Sequence, residues 1–322
     1  MRLFRHHTAL PTDARGAVLA LGNFDGVHRG HQAVIGMAGE IARRLRAPLG
    51  VLTFEPHPRQ VFRPTDAPFR LTPFRIKARL IEALGVDLLV SLHFDRKFAA
   101  LTAEAFVQTV LIDGLGVRHV VVGYDFVFGH GRAGTTQRLS EMAAVAGFGI
   151  TTVSPVAADA SEAGGEILSS TRVRDHLIAG KPPAAAALLG RPWEIDGRVE
   201  PGDQRGRTIG FPTANLSLDD YLRPASGVYA VRAGIEGPGG TVWHDAVANL
   251  GTRPTVDGTD LRLEVHLFDF AGDLYGRHLR VALVDYLRPE MKFSGLDALK
   301  AQIALDSTRA REILAAAKLP PG

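Results

Sequence analysis

Two histidines three residues apart end a glycine-containing stretch, Gly22-Asn23-Phe24-Asp25-Gly26-Val27-His28-Arg29-Gly30-His31. The stretch follows a run of β-forming residues and opens an amphipathic segment. Glycines let the backbone approach a ligand, the first N–H groups of a helix attract anions, and imidazoles donate hydrogen bonds to phosphate oxygens. We therefore expect a polyphosphate site that uses His28 and His31. A glycine turn with surface histidines is the alternative.

The elements that must position this site are strands alternating with helices. The sequence predicts strands at 17–21, 49–54, 87–92, 117–122 and 149–153, and helices near 31–46, 74–84, 102–112 and 136–146. Such alternation is typical of a doubly wound α/β domain, in which ligands bind at the carboxyl ends of parallel strands. His57 and Asp125 follow the second and fourth predicted strands, so we expect them at that edge.

The pattern of alternating strands and helices changes near residue 185, which predicts a domain boundary there. Ser170 and Thr171 are expected to cap a further helix that closes at Gly180 and faces the same cleft. The prolines and alanines that follow break the pattern, so we predict domains at 1–185 and 186–322. Their formal charges are +5 and −2. The first value suits an anionic ligand, although a solvated basic surface explains it equally well.

The second half reads as strands separated by turn residues. Strands are predicted at 193–199, 227–233, 241–250, 261–268 and 279–287, and a helix at 296–318. This pattern is typical of a small antiparallel β-barrel, here followed by a C-terminal helix.

Two patterns in this half could carry chemistry. In the motif from Gly206 to Asn215, which includes Gly210, Thr213 and Asn215 offer neutral oxygens on one side of an extended chain. Mg²⁺ held mainly by nucleotide phosphates needs only one or two such ligands, although a hairpin turn is the alternative. Residues 261–267 alternate strictly, which places Glu264 on a polar strand face beside Arg262 and His266. The alternative is that Glu264 is a solvent-facing residue with no role in chemistry.

Composition excludes several classes of site. The chain has 322 residues and no cysteine, so disulfides, thiolate zinc sites, iron–sulfur clusters and a cysteine nucleophile are excluded. Residues 1–7 lack the apolar core of a signal peptide, and no unbroken apolar run approaches the ~18 residues of a membrane span. We expect a soluble cytoplasmic protein. A net charge of +3 gives little support to nucleic-acid binding.

The stretch from Gly22 to His31 resembles the HxGH nucleotidylyltransferases. Its fuller form, GxFDGxHxGH, is similar to bacterial bifunctional riboflavin kinase/FMN adenylyltransferases, also called FAD synthetases. Other matches follow in family order: residues 53–58, 123–134 with Asp125 and Arg132, 169–174, 197–203, 206–216, 251–255 and Glu264. Many relatives carry a basic residue shortly before Ser169, where this chain has Ile167 and Leu168, so the resemblance does not extend to a phosphate contact there.

The resemblance implies a nucleotidylyltransferase domain followed by a riboflavin kinase barrel. The barrel would phosphorylate riboflavin to FMN with ATP, and the first domain would join AMP from a second ATP to FMN, releasing pyrophosphate and FAD. Cofactors and partners are then Mg²⁺, ATP and flavins, with no nucleic acid and no membrane. The implied catalytic residues are His28, His31 and Glu264. Phosphate and ATP would be bound by Gly22, Phe24, Asp25, Gly30, His57, Gly206 and Gly210; flavin and nucleotide by Asp125, Arg132, Ser170, Thr171 and Arg172; and Mg²⁺ by Thr213 and Asn215.

Residues 129–134 also satisfy the dinucleotide fingerprint GxGxxG. That fingerprint must follow a strand directly, whereas residues 124–128 intervene, so we predict a glycine loop that presents Arg132 to a phosphate. Two rival functions remain. The barrel could bind flavin only as a regulatory module of a monofunctional adenylyltransferase, or the HxGH site could belong to an RNA-binding protein, which the small net charge disfavours.

Overall fold

The computed structural model describes residues 1–158, 165–201, 210–237, 239–255 and 258–320. Its contacts divide the chain into two compact units. Unit 1 comprises Met1–Ala67, Thr72–Ala158 and Gly165–Leu168, and unit 2 comprises Pro68–Leu71 and the described residues from Ser169 onward. The functional boundary at residues 185 and 186 is a different division and stays a prediction.

Unit 1 is built on a parallel sheet. Its strands are β1 Arg2–Phe4, β2 Val18–Leu21, β3 Leu49–Glu55, β4 Leu88–His93, β5 His119–Gly123 and β6 Gly149–Val153. They lie in the order β1-β4-β3-β2-β5-β6, and every pairing is parallel. The five predicted strands are confirmed. The edge strand β1 was missed because three residues are too short to show a period.

Helices cover both faces of this sheet. They are α1 Arg29–Leu45, α2 Pro58–Phe62, α3 Phe74–Glu82, α4 Arg96–Ala99, α5 Ala103–Phe106, which continues as the π-helical segment Val107–Gly114, and α6 Thr136–Ala146. Alternate residues of β2 enter two separate buried clusters, Leu19 and Leu21 on one face and Val18 and Ala20 on the other. The predicted doubly wound architecture is therefore confirmed.

The strand order creates a crevice beside β2. From β2 the chain proceeds to β3 on one side, and later returns to place β5 on the other side of β2. Connections thus leave the carboxyl ends of β2 and β5 in opposite directions. Such a switch point is where open α/β sheets bind ligands, and the loop containing His28 and His31 begins there.

Unit 2 contains a curled antiparallel sheet, a half-barrel. Its elements are α7 Ser170–Ile178, α8 Pro182–Leu189, β7 Trp193–Arg198, β8 Ala214–Ser217, β9 Gly227–Gly237, β10 Gly240–Thr255, β11 Gly258–Leu267, β12 His278–Arg288 and α9 Leu296–Ala316. The strand order is β7-β12-β9-β10-β11-β8. An antiparallel bridge between Glu200 and Asn215 links the two ends of this order, which curls the sheet. The predicted antiparallel architecture with a C-terminal helix is confirmed.

The proline–alanine stretch expected to break the pattern is instead the helix α8. Pro182 lies in its first turn, where a missing N–H costs nothing, and Gly190 ends it at φ +75°. Leu188 and Leu189 are fully buried. A short helix that is almost wholly apolar has no polar face, so its sequence shows no helical period.

Helix α9 is packed along one face of the half-barrel. Ala310 and Leu314 join a buried cluster with Val228 and Val247. The guanidinium of Arg232 donates to the carbonyl of Leu314 at 2.7 Å and so holds the end of the helix. In the described part of the chain, none of the helices is long and apolar enough to cross a bilayer.

Replacing Leu188 by alanine should destabilise unit 2 by about 2–5 kcal/mol, because the substitution leaves a cavity under α8. Trp193 and Trp243, the chain's two tryptophans, lie in unit 2, so fluorescence during urea unfolding reports on this unit. Leu305→Ala is the matched control, since Leu305 is 65% exposed on α9. Its effect should stay within about 0.5 kcal/mol. Equal effects of the two substitutions would contradict the packing described.

Candidate active sites

The loop between β2 and α1 has a strained backbone held by buried contacts. Phe24 and Val27 have φ of +49° and +44°, values that cost free energy for residues other than glycine. The carboxylate of Asp25, only 2% exposed, accepts a hydrogen bond from the Thr72 backbone N–H at 3.0 Å. Gly26 donates its own N–H to the Thr72 hydroxyl at 2.8 Å. Asp25 therefore fastens the loop, and a direct phosphate contact by it stays a prediction.

His28 begins α1 and caps it. Its Nδ1 accepts a hydrogen bond from the backbone N–H of His31 at 3.3 Å. Since Nδ1 is the acceptor, the neutral ring carries its proton on Nε2, the tautomer that can donate to a phosphate oxygen. The partial positive charge of the helix N-terminus lies at the same point. The structure thus gives the first histidine both an orientation and a defined donor.

His31 is oriented by ring contacts. Its imidazole stacks on that of His28 with ring centres 3.6 Å apart, and it meets the edge of Phe24 at 5.2 Å. Phe24 is 1% exposed, so it supports His31 from below, and Gly22 leaves room for its ring. A Cβ on Gly30 would lie 3.0 Å from Nδ1 of His28. A side chain at position 30 would therefore force the capping ring to shift by a few tenths of an ångström.

Other predicted ligands of unit 1 lie at the carboxyl edge of its sheet. His57 follows β3 and caps α2, its Nδ1 accepting from the Arg59 N–H at 3.1 Å. Asp125 and Arg132 are exposed in the segment after β5. The glycines of the GxGxxG match lie in a loop pinned by an antiparallel bridge between Phe128 and Gly134, which is unlike a strand-to-helix phosphate turn.

The serine–threonine motif differs from the sequence prediction in one detail. The N-cap of α7 is Ser169, whose hydroxyl accepts from the Arg172 N–H at 3.3 Å, while Ser170 and Thr171 are the first helical residues. Adjacent serines make equally good caps, so sequence alone could not choose between them. These residues belong to unit 2, and their role toward the first cleft stays a prediction.

A chain of phenylalanines at the same edge was missed by the sequence analysis. Phe54 is the next-to-last residue of β3, and Phe94 follows β4. Ring centres separated by less than 6.5 Å connect Phe62, Phe94, Phe54, Phe98, Phe106, Phe128 and Phe126 in turn. Phe62 is 60% exposed. Phe106 and Phe128 are buried in the core of unit 1, so only the Phe62 end of the chain is open to stacking a planar ring. The available signal was the placement of Phe54 and Phe94 at the carboxyl ends of neighbouring strands.

Unit 2 presents a row of side chains across five strands. Glu264 on β11 is paired with Asn215 on β8 and with Asn249 on β10. The row continues through Val228 to Arg288. Directly paired residues share a sheet face, with Cβ atoms about 4.5–5.5 Å apart. The predicted alternation of residues 261–267 is confirmed, because Leu263 and Val265 are fully buried and Glu264 is not.

A cavity of about 280 Å³ lies above this row. Its lining consists of Phe211, Thr213, Val228, Val247, Ala248, Asn249, Glu264, His266, Arg288, Glu290, Met291, Phe293, Leu299, Ile303 and Asp306. One wall is α9, and the ion pair of Arg288 with Asp306 at 2.7 Å joins that wall to the sheet. Asn249 was not singled out from the sequence, because only strand register brings it opposite Glu264.

The predicted metal ligands have oxygens available in this region. Asn215 is 5% exposed, and its amide nitrogen donates to the Thr213 carbonyl at 3.5 Å. Its Oδ1 is buried and accepts no hydrogen bond from any described residue. Gly210 has φ +90°, whereas Gly206 lies outside the described residues. A carboxamide oxygen beside a glutamate suits a hard cation held by few protein ligands.

Comparison with known proteins accounts for both units. The FAD synthetase family matches residues 10–172, and the riboflavin kinase family matches residues 189–314. A bifunctional riboflavin kinase/FMN adenylyltransferase of Escherichia coli (strain K12) is 45% identical over 320 residues, 99% of each chain. This chain belongs to the bifunctional riboflavin kinase/FMN adenylyltransferase family. The resemblance inferred from the motifs is confirmed.

Two further comparisons extend this assignment. The bifunctional riboflavin kinase/FMN adenylyltransferase of Bacillus subtilis is 38% identical over 311 residues, 95% of this chain and 94% of the relative. A crystal structure described as a macrolide-efflux protein from Streptococcus pneumoniae has a TM-score of 0.83 and 33% identity, covering 96% of this chain and 98% of that one. The bifunctional family fold therefore extends over nearly the whole chain.

Gly30→Ala should lower FAD formation about tenfold, because the added Cβ displaces the His28 ring by a few tenths of an ångström. A displacement of about one ångström costs ~10² in rate, so a smaller shift should cost less. Gly36→Ala is the matched control on the same helix, since its Cβ meets no atom within 4 Å. The control should keep full activity and stabilise the protein by about 0.5–1 kcal/mol. Equal rates for the two variants would show that the approach of Gly30 to His28 is unimportant.

Proposed function

We propose that this riboflavin kinase/FMN adenylyltransferase divides its two reactions between its two units. The half-barrel of unit 2 transfers the γ-phosphoryl group of ATP to the 5′-hydroxyl of riboflavin, which gives FMN. The cleft of unit 1 joins the AMP moiety of a second ATP to FMN, which gives FAD and pyrophosphate. Because both reactions consume ATP, we assign them to the cytoplasm.

In unit 1, His28 and His31 would donate hydrogen bonds to the ATP phosphates while the FMN phosphate attacks the α-phosphorus. The support is positional: both rings lie at the N-terminus of α1, beside the switch point of the sheet. Charge that develops on the phosphate oxygens would meet donors already oriented by the cap and the ring stack. Gly22 and Gly30 would allow close approach, and His57, Asp125 and Arg132 would border the cleft.

The phenylalanine edge supports an aromatic ligand in the same cleft. Phe62 is 60% exposed and contacts Phe94, and Phe126 stacks on Phe128 with ring centres 5.6 Å apart. The flavin ring of FMN is planar and largely apolar, so it gains stacking and burial against such side chains. Ser170, Thr171 and Arg172 are proposed to contact the nucleotide or flavin phosphate, on the strength of the family motif.

In unit 2, Glu264 is proposed as the general base that accepts the proton of the riboflavin hydroxyl. It lines the cavity together with apolar residues of α9, Leu299 and Ile303, which suit the flavin ring. Its volume of about 280 Å³ is near the ~300 Å³ lower limit of small-molecule sites. Asn249, opposite Glu264 on β10, would border the same hydroxyl.

We further propose that Thr213 and Asn215 hold Mg²⁺ together with the ATP phosphates. The buried Oδ1 of Asn215, which accepts no hydrogen bond from a described residue, fits a hard cation. When bound, Mg²⁺ would neutralise charge on the transferring phosphoryl group. Among the described residues there is no cluster of three or more His, Cys, Asp or Glu side chains that could bind a metal alone. Phosphate oxygens of ATP would supply most of the other ligands.

One observation carries the proposal: two enzyme families match separate parts of the chain, and each part has its own polar cluster on a different sheet. A monofunctional adenylyltransferase with a flavin-binding barrel would not need Thr213 and Glu264 in one cavity with Asn215 paired to Glu264. The decisive experiment is to incubate the protein with riboflavin, ATP and Mg²⁺ and to separate the flavins. FAD should form through FMN, whereas a lack of FMN from riboflavin would favour the monofunctional alternative.

His28→Ala and His31→Ala should each lower FAD formation by ~10²–10³, the usual effect of removing one charge-stabilising donor. FMN formation from riboflavin should stay near wild type, because Glu264 and its neighbours belong to the other unit. Both rates are measured on one preparation, with His6→Ala as the control, since His6 is an exposed histidine of unit 1. Loss of both activities in a folded variant would refute separate sites.

Glu264→Gln should lower FMN formation by about 10²–10⁴, the range for loss of a general base, with little change in the KM of riboflavin. Glutamine keeps the size of the side chain but cannot accept the proton. FAD formation from supplied FMN should persist. Glu312→Gln makes the same chemical change at an exposed site on α9 and should have no effect. Near-normal kinase turnover in Glu264→Gln would remove Glu264 from the mechanism.

A further inference from the structure

A buried lysine lies directly beneath the loop of unit 1 that contains the two histidines. Lys77, on α3, is 0% exposed. Its ammonium lies 2.6 Å from a carboxylate oxygen of Glu55, 3.2 Å from the backbone carbonyl of Asn23 and 3.3 Å from the hydroxyl of Thr53. An ammonium group has three N–H donors, and these three acceptors match them. Lys77 has no access to a ligand, so it cannot touch ATP itself.

These contacts connect the two segments that we assign to phosphate binding. Asn23 lies in the loop before His28, and Glu55 precedes Pro56 and His57 at the end of β3. The carbonyl of Asn23 accepts a second hydrogen bond from the Thr53 hydroxyl at 3.1 Å. Lys77 therefore ties the β2–α1 loop to the carboxyl end of β3.

The same region of the chain also holds the other side of the loop. Thr72, just before α3, contacts Asp25 and Gly26, so the loop is held at Asn23 by Lys77 and at Asp25 and Gly26 by Thr72. Between and beside these points lie Phe24 and Val27 with positive φ, a conformation that persists only when its surroundings enforce it. Release of the Asn23 carbonyl would let this strained segment relax and shift the cap of α1.

We propose that Lys77 is a positioning residue for adenylyl transfer. This inference rests on the proposed function of unit 1. The ammonium of Lys77 fixes the Asn23 carbonyl, and the carbonyl in turn fixes the loop that places His28 and His31. A purely apolar residue would fill the same volume but would take one of its two donors from the Asn23 carbonyl and so weaken the hold on that side of the loop. The charge of Lys77 is balanced by Glu55, so its contribution to the site is geometric.

The test compares Lys77→Met with the double variant Lys77→Met/Glu55→Gln. The single substitution removes the ammonium from beside the Glu55 carboxylate, whose side chain is 16% exposed, and should lower stability. The double substitution removes that charge and should recover the unfolding temperature. If Lys77 contributes only to stability, FAD formation should recover together with the unfolding temperature. If Lys77 positions the loop, the stable double variant stays impaired. Lys97→Met, an exposed lysine of the same unit, is the control.

We expect the double variant to form FAD about 10²-fold more slowly in kcat, the effect of misplacing reacting groups by about an ångström. The KM for ATP should change less than about threefold, and FMN formation should equal that of the wild type. FAD formation within about threefold of wild type would overturn the proposal.

If both Lys77 variants fail to fold, Thr53→Val decides. This isosteric change removes both the second donor to the Asn23 carbonyl and an acceptor of the Lys77 ammonium, so it should cost about tenfold, whereas an unchanged rate would count against the proposal.

Imidazole NMR signals separate this inference from the proposed function, because they need no turnover. In the double variant, or in Thr53→Val, the resonances of His28 and His31 should shift, while those of His244 and His278 in unit 2 should not. Unmoved His28 and His31 signals would overturn the positioning role even if FAD formation fell. Shifted signals in a protein whose wild type makes no FAD would support the positioning role and refute the proposed activity of unit 1.

Discussion

The hydrogen bond from the His31 N–H to Nδ1 of His28 determines the geometry of the first site. With it, one side chain ends the β2–α1 loop, begins the helix and fixes which ring nitrogen can donate to a ligand. The His28–His31 stack and the tight approach of Gly30 follow from this cap. Helix α1 is itself immobilised by its buried face, which includes Val34, Ile35 and Ala38. The site therefore takes its precision from a packed helix and not from a free loop.

The second site depends on strand register instead. Glu264 and Asn249 line one cavity, and Asn215 lies beside Glu264, because the three are directly paired across β8, β11 and β10. A slip of one residue would turn Glu264 into the interior of the half-barrel and bring Leu263 or Val265 to the cavity. The buried alternate residues prevent that slip. The core that stabilises unit 2 thus also fixes the position of its proposed base.

Both sites place polar groups where burial would otherwise be unfavourable. In unit 1 the Asp25–Thr72 contacts and the Lys77–Glu55 pair hold a loop with two non-glycine residues at positive φ. In unit 2 the Arg288–Asp306 pair and the contact of Arg232 with the end of α9 hold the wall of the cavity. Polar groups that are held by partners confer a single geometry, and the Lys77–Glu55 and Arg288–Asp306 pairs lie next to residues of the proposed sites.

The sequence by itself determined the strands β2 to β6, the alternating face of Glu264, and the motifs that identify both families. The strands and the face of Glu264 follow from local hydrophobic periodicity. The motifs are recognisable because only a few structures require those residue types at that spacing. It did not determine that residues 182–189 form a packed helix or that Ser169 is the cap of α7, because a wholly apolar helix lacks a period and neighbouring serines cap equally well. Only the tertiary structure brought Lys77 under Asn23, Thr72 against Asp25 and Asn249 opposite Glu264, and joined phenylalanines of several elements into one chain of ring contacts. Those contacts join residues far apart in the chain, and strand order, register and packing decide them.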